Sequence, residues 1–148
     1  MLTAQDIMNQ DVVTVTPKTS VEEAADIMSQ ENVSGLPVVQ DGKLIGVVSE
    51  KDLIIKNKKL NSPGFINILD GVFLKNPRKF EEEFKKFIAV DVKDLMTEEV
   101  VQINLDTPLD EIASLMVDKD VNRLPVVEDD KLVGIVTRGD IVRNMAGE

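Results

Sequence analysis

The sequence predicts an α/β (α+β) fold made of two strand-helix-strand-strand-helix (βαββα) units, and three observations carry that prediction. The segment Leu36 to Asp52, LPVVQDGKLIGVVSEKD, returns as Leu124 to Asp140, LPVVEDDKLVGIVTRGD, at an offset of 88. The match runs without a gap from Asp6-Ile7-Met8 against Asp94-Leu95-Met96 to Leu53 against Ile141, the signature of an internal repeat. Ahead of each segment lies a stretch whose apolar residues recur at helical spacing. Inside each segment, two β-rich runs flank a pair of turn residues, which reads as a hairpin. A unit of about 50 residues buries only ~60% of the surface its unfolded chain exposes, so the two units are expected to share one core.

Met1 to Gln10 reads as a lead-in, and the β-branched run Val12, Val13 and Val15 as a first strand. A helix follows over TSVEEAADIMSQEN, with Thr19 or Ser20 as N-cap, Glu22 or Glu23 three residues on, and Val21, Ala24, Ala25 and Met28 as its apolar stripe. The second copy keeps the logic with Thr107 as cap, Pro108 at the first helical position, and Leu109, Ile112, Ala113 and Met116 as the stripe. The apolar run Leu36 to Val39 then forms a strand that tolerates Pro37 at its start. Asp41-Gly42 is a two-residue hairpin signal, whereas Asp129-Asp130 lacks the glycine and predicts a looser turn. Leu44 to Val48 and Leu132 to Val136 complete the hairpins. Each contains a glycine, Gly46 or Gly134, which marks a bulge or a close approach by another group. SEKD and TRGD open a second helix, continued by Leu53 to Ile55 and by Ile141 and Val142.

These readings divide the chain into a first unit over 1–60, an insertion over 61–92 and a second unit over 93–148. All five phenylalanines, Phe65, Phe73, Phe80, Phe84 and Phe87, lie in the stretch that interrupts the repeat. Asn76-Pro77 is placed to start a helix there, with Phe80, Phe84, Phe87 and Ile88 on one face. The rings either cover the shared core or form an association surface.

Composition narrows the chemistry. The chain has neither Cys nor His, so disulfides, thiolate metal sites, the Ser-His nucleophile and the commonest general base are excluded. A net charge of −10 disfavours nucleic acid, whose phosphates demand a basic footprint. No apolar run reaches the ~18 residues of a membrane span, and MLTAQDIM lacks the basic and apolar regions of a signal peptide. A cytoplasmic, non-enzymatic protein is the expectation.

The strings DIM and DLM, VSGLPVV and VNRLPVV, GVVSEKD and GIVTRGD, two copies in fixed register, identify a chain that resembles tandem CBS-domain proteins, the pair called a Bateman module. The resemblance covers both copies and leaves out the Phe-rich insertion. It implies that two units pack through their sheets about a pseudo-twofold axis and form two clefts for adenosine-containing ligands. It also implies that an Asp three residues after a Ser or Thr takes the ribose hydroxyls. One cleft then comprises Thr137, Gly139 and Asp140 with Met8, Val13, Val33, Ser34 and Gly35. The other comprises Ser49, Lys51 and Asp52 with Met96, Val101, Val121, Asn122 and Arg123. No cofactor is required; AMP, ADP, ATP or S-adenosylmethionine is the implied regulatory ligand, and a homodimer and a regulated protein of unknown identity are the implied partners.

The chemistry suits that role. A carboxylate accepts two hydrogen bonds from a vicinal diol, and a helix N-terminus offers free N–H groups to phosphate. Ser-x-x-Asp and Thr-x-x-Asp are equally capping boxes. Arg123 is a surface charge or a phosphate contact, and Lys51 and Arg138 are solvated residues or additions to the same positive field. A regulatory nucleotide sensor, an oligomerisation scaffold acting through the phenylalanines, and an enzyme are the three function classes weighed; the last lacks a nucleophile-base pair.

Overall fold

The computed structural model of the chain describes residues 1–54 and 91–146. The five phenylalanines, the helix expected after Asn76-Pro77 and the Lys56, Lys58 and Lys59 run lie outside the described residues. The fold is mixed α/β, with the expected hairpins as its centre. β1 (Gly35–Gln40) and β2 (Lys43–Ser49) form the first, β3 (Arg123–Glu128) and β4 (Lys131–Thr137) the second. They make one four-stranded antiparallel sheet in the order β1-β2-β4-β3, joined where Lys43 pairs with Lys131. Arg123 opposes Thr137, Val126 opposes Gly134, and a bulge follows between Val126 and Val127.

Both turns have the same geometry, which corrects the looser turn expected of Asp129-Asp130. Their φ angles are 53° and 66°, against 55° and 82° at Asp41 and Gly42. Two consecutive left-handed residues make the hairpin turn whose twist matches its strands, and Asp tolerates that region through local hydrogen bonding.

Helix α2 (Val21–Glu31) is capped by Ser20, whose hydroxyl accepts from the Glu23 N–H at 3.0 Å. Thr19 caps nothing: its hydroxyl accepts from the Thr16 N–H at 3.0 Å. The second copy repeats this. Thr107 accepts from the Asn104 N–H at 3.0 Å, and Pro108, expected at the first helical position, is instead the N-cap of α3 (Leu109–Asp118). The two threonines close the turn that precedes each helix. The predicted stripes are buried at Ala24 and Met28 and at Leu109, Ile112 and Met116 and half-buried at Val21 and Ala113, whereas Ala25, expected on the first stripe, is exposed because it lies on the edge of the helix turned from the core. Left-handed Asn32 and Asp120 end the two helices, with Val33 N–H on the Met28 carbonyl and Val121 N–H on that of Met116, both at 3.0 Å.

The first strand shrinks to isolated parallel bridges, Val15 with Val38 and Ile103 with Val126. Extending either ladder backwards by two residues needs an N–H from Pro37 or Pro125 to reach the carbonyl of Val13 or Val101, and proline has none.

By contacts within the chain, two compact units form, and they differ from the two sequence copies. One comprises Met1–Thr14, Val39–Ile45 and Glu99–Glu148; the other comprises Val15–Val38 and Gly46–Glu98. In the first unit the lead-in of copy one docks on copy two. A short helix α1 (Ala4–Ile7), unforeseen in the sequence, puts Ala4 and Ile7 into a core with Ile103, Leu109, Ile112, Met116, Leu124, Val126, Val136 and Ile141. Ala4 N–H donates to the Thr107 carbonyl, and Asn9 and Ile135 exchange bonds of 2.9 and 3.0 Å. The second unit mirrors this, with Val47 and Thr97 exchanging bonds of 3.0 and 2.8 Å. The lead-in after Val90 carries a 3₁₀ turn, Val92–Asp94, and Val92 is fully buried.

The strand glycines make this docking possible. A Cβ on Gly134 would stand 2.5 Å from Met8 Sδ and 3.2 Å from the Asn9 carbonyl; one on Gly46 would stand 2.8 Å from Met96 Sδ and 3.0 Å from the Thr97 carbonyl. Close approach by another group is therefore realised at both glycines, and at Gly134 the bulge is realised as well, with Val133 as the extra residue beside it. Gly134→Ala is expected to cost about 1–3 kcal/mol by overpacking, read as a lower urea midpoint at unchanged slope. An unchanged midpoint would show that Met8 yields freely.

At the start of α1, Thr3 donates its N–H to Asp6 Oδ2 at 2.9 Å and its hydroxyl to the same oxygen at 3.1 Å. The backbone bond, then the hydroxyl, hold the Asp6 carboxyl below its ordinary range. A depressed carboxyl stabilises the fold above its unfolded pKa, and the contribution disappears as pH falls through the folded one. The Thr3 amide resonance is expected to titrate below the ordinary carboxylate range, and Asp6→Asn to abolish that titration.

Candidate functional site

Each hairpin runs into a helix through the same constellation. At the second, the Thr137 N–H donates to Asp140 Oδ2 at 2.8 Å, and the Asp140 N–H donates to Thr137 Oγ1 at 3.3 Å, which caps α4 (Arg138–Met145). At the first, the Ser49 N–H and hydroxyl donate to Asp52 Oδ2 at 2.8 and 3.2 Å, and residues 50–54 are helical. The reciprocal cap is thus closed at Thr137, while at Ser49 both bonds run to the Asp52 carboxylate.

Capping engages only one oxygen. A carboxylate offers about four lone-pair sites, so Oδ1 remains in each copy for a further donor. Here the copies differ. Asp140 is buried and its Oδ1 accepts from Arg143 Nη2, one turn along α4, while its carbonyl accepts from Asn144 Nδ2 at 2.6 Å. Asp52 is half-buried, and among the described residues both bonds to its carboxylate fall on Oδ2. Arg143 and Asn144 were not singled out in the sequence, although the Asp-x-x-Arg spacing in RGDIVR is an ion-pair signal on a helix.

The strand entries lie beside these helix starts. The Arg138 N–H donates to the Asn122 carbonyl and the Glu50 N–H to that of Ser34, both at 2.9 Å. Arg123 is in register with Thr137, and a Cβ on Gly35 would stand 3.2 Å from the Val48 carbonyl and 3.7 Å from Ser49 Cβ. Thr137, Gly139 and Asp140 share a compact unit with Met8 and Val13, and also with Val101, Val121, Asn122 and Arg123. Ser49, Lys51 and Asp52 share theirs with Met96 and with Val33, Ser34 and Gly35. Met8, Val101 and Val121 are half-buried against the core of the first unit, whereas Lys51, Asn122 and Gly139 are exposed. Among the described residues no group of acidic side chains is arranged to hold a metal ion, and no helix is long and apolar enough to cross a membrane.

The chain is similar to an uncharacterised protein, MJ1426, of Methanocaldococcus jannaschii, with 34% identity over 149 aligned positions, 93% of this chain and 88% of that protein. It is 35% identical over 140 positions to the chloroplastic CBS domain-containing protein CBSX2 of Arabidopsis thaliana, covering 90% of this chain and 58% of CBSX2. The crystal structure of CBSX2 in complex with AMP superposes with a TM-score of 0.79 at 31% identity, over 99% of this chain and 98% of that one. The CBS domain pair of protein MJ0100, in complex with 5′-methylthioadenosine and S-adenosyl-L-methionine, gives 0.70 at 26% identity, over 99% and 98%. The sequence model of the CBS domain matches residues 4–57 and again 92–147, and the chain accordingly belongs to the CBS domain family, carrying the domain twice.

Proposed function

We propose that the chain is a regulatory sensor of adenosine-containing ligands, AMP, ADP, ATP or S-adenosylmethionine, and that Asp52 and Asp140 receive the ribose hydroxyls. The observation that carries this reading is the repeated helix start, in which a carboxylate is fixed through Oδ2 and its Oδ1 is left outside the cap, facing Arg143 in the second copy. A fixed acceptor loses little freedom on binding a vicinal diol. The AMP held by CBSX2 and the adenosyl ligands held by MJ0100 support the same ligand class. With neither His nor Cys in the chain, the bound ligand is a signal rather than a substrate.

The test is a thermal-shift and calorimetry panel with AMP, ATP, adenosine and S-adenosylmethionine. A ligand at a hundred times its dissociation constant adds about 2.7 kcal/mol of stability. No shift and no heat with any of the four would overturn the reading.

The expected homodimer has support in two residues equivalent in the repeat, Ile54 and Val142, each 61% exposed, with Met145 63% exposed one turn on. Apolar residues at equivalent exposed positions suit an association face. Sedimentation at micromolar concentration is expected to give twice the 16.4 kDa chain mass; a monomer there would count against it.

A further inference from the structure

Asp140 is bound twice within its own helix. Its Oδ2 is held by the cap and its Oδ1 by Arg143, whose side chain is 70% exposed while that of Asp140 is 13% exposed. At the repeat offset of 88 the residue corresponding to Arg143 is Ile55, which has no hydrogen-bond donor in its side chain. The two carboxylates therefore have unlike chemistry on the oxygen left for a diol. Nothing in the capping role requires this, because Asp52 caps its helix through Oδ2 alone among the described residues.

We infer that Arg143 is a specificity-determining latch on the Asp140 site: a neutral nucleoside must displace the guanidinium from Oδ1 before both ribose hydroxyls can bind, whereas at Asp52 it meets a carboxylate without that partner. The inference rests on the adenosine reading above and adds a rank order to it. Adenosine fills the Asp52 site first. Because the guanidinium is exposed, it can swing into solvent, so the latch weakens binding without blocking it. The cost is that of a charge-assisted pair partly screened by water, about three- to tenfold in affinity. Salt screens the pair, so adenosine affinity at Asp140 rises with ionic strength. A neutral ligand on an unlatched carboxylate has no reason to show this.

The Ser49 and Thr137 amides, each donating to its carboxylate, are site-resolved NMR probes of an adenosine titration of the full chain. The Ser49 midpoint is expected at the lower concentration. Arg143→Gln is expected to lower the Thr137 midpoint by about three- to tenfold, to leave the Ser49 midpoint in place, and to remove the salt effect; Arg143→Lys should restore part of it. Arg143 is exposed, and a retained Thr137 amide shift in the free variant shows that the cap is intact. A Thr137 midpoint unmoved by Arg143→Gln, or moved together with that of Ser49, would overturn the latch. If neither amide responds to adenosine, AMP or S-adenosylmethionine, the ligand reading itself fails and the latch with it.

Discussion

Asp52→Ala and Asp140→Ala are each expected to weaken one adenosine-binding event by about ten- to a hundredfold, the equivalent of ~1.5–3 kcal/mol for hydrogen bonds to a charged acceptor. On the proposed reading the carboxylate both holds the helix start and receives the ribose hydroxyls, and the substitution removes both roles. Loss of the carboxylate leaves the Thr137 N–H, or that of Ser49, without its acceptor and costs about 1 kcal/mol of stability, which by itself loosens the site. Two further variants separate the roles. Thr137→Ala takes away the hydroxyl that receives the Asp140 N–H at 3.3 Å but leaves the carboxylate, so it should lower stability by a similar amount and affinity only slightly. Asp140→Asn keeps an acceptor for the Thr137 N–H while removing the charge, so affinity should fall more than stability. Calorimetry paired with urea denaturation measures both quantities. If Asp140→Ala and Thr137→Ala weaken binding equally, the carboxylate acts only as a cap.

The architecture was legible wherever one residue type determines one geometry. The hairpins, the helix starts at Ser49 and Thr137 and, apart from exposed Ala25, the helical stripes follow from local pattern and are found. The less legible features depend on which distant segment supplies a partner. Val12 and Val13 have strand propensity, yet their ladder needs an N–H that Pro37 cannot give, and that requirement shows only once the parallel bridge of Val15 with Val38 is known. The Thr107-Pro108 pair reads as cap and first helical position until the Asn104 N–H is seen to occupy the threonine hydroxyl, which leaves Pro108 as the N-cap. The lead-ins are the largest case. Nothing in MLTAQDIMNQ states that Ala4 and Ile7 belong to a core formed by copy two. Gly134 carried half of the message, that something approaches its strand closely; the identity of the visitor, Met8, needed three dimensions. At the helix starts, the bonds to both carboxylates follow from the repeat, while Arg143 does not, because a repeat draws attention to what the copies share and hides what only one of them has.

Ile7→Ala is expected to destabilise the unit formed by the second copy, by about 2–4 kcal/mol. Ile7 is 8% exposed and lies in one core with Ile103, Ile112, Leu124 and Val136, all from the far half of the sequence. The substitution removes apolar surface and leaves a cavity, because Ala4 and Asn9, held by backbone bonds of 2.9 Å to Thr107 and Ile135, keep the lead-in from collapsing into the gap. A loss of this size is a large fraction of the 5–15 kcal/mol that keeps a domain folded. Hydrogen exchange locates it. The Ile135 N–H on the Asn9 carbonyl and the Val127 N–H on the Ile103 carbonyl should lose protection, and the Val15 and Val47 N–H groups of the other unit should lose less. Equal loss at all four amides would mean that the two units unfold as one cooperative body; loss confined to Val15 and Val47 would mean that the first lead-in stabilises its own copy, contrary to the docking described.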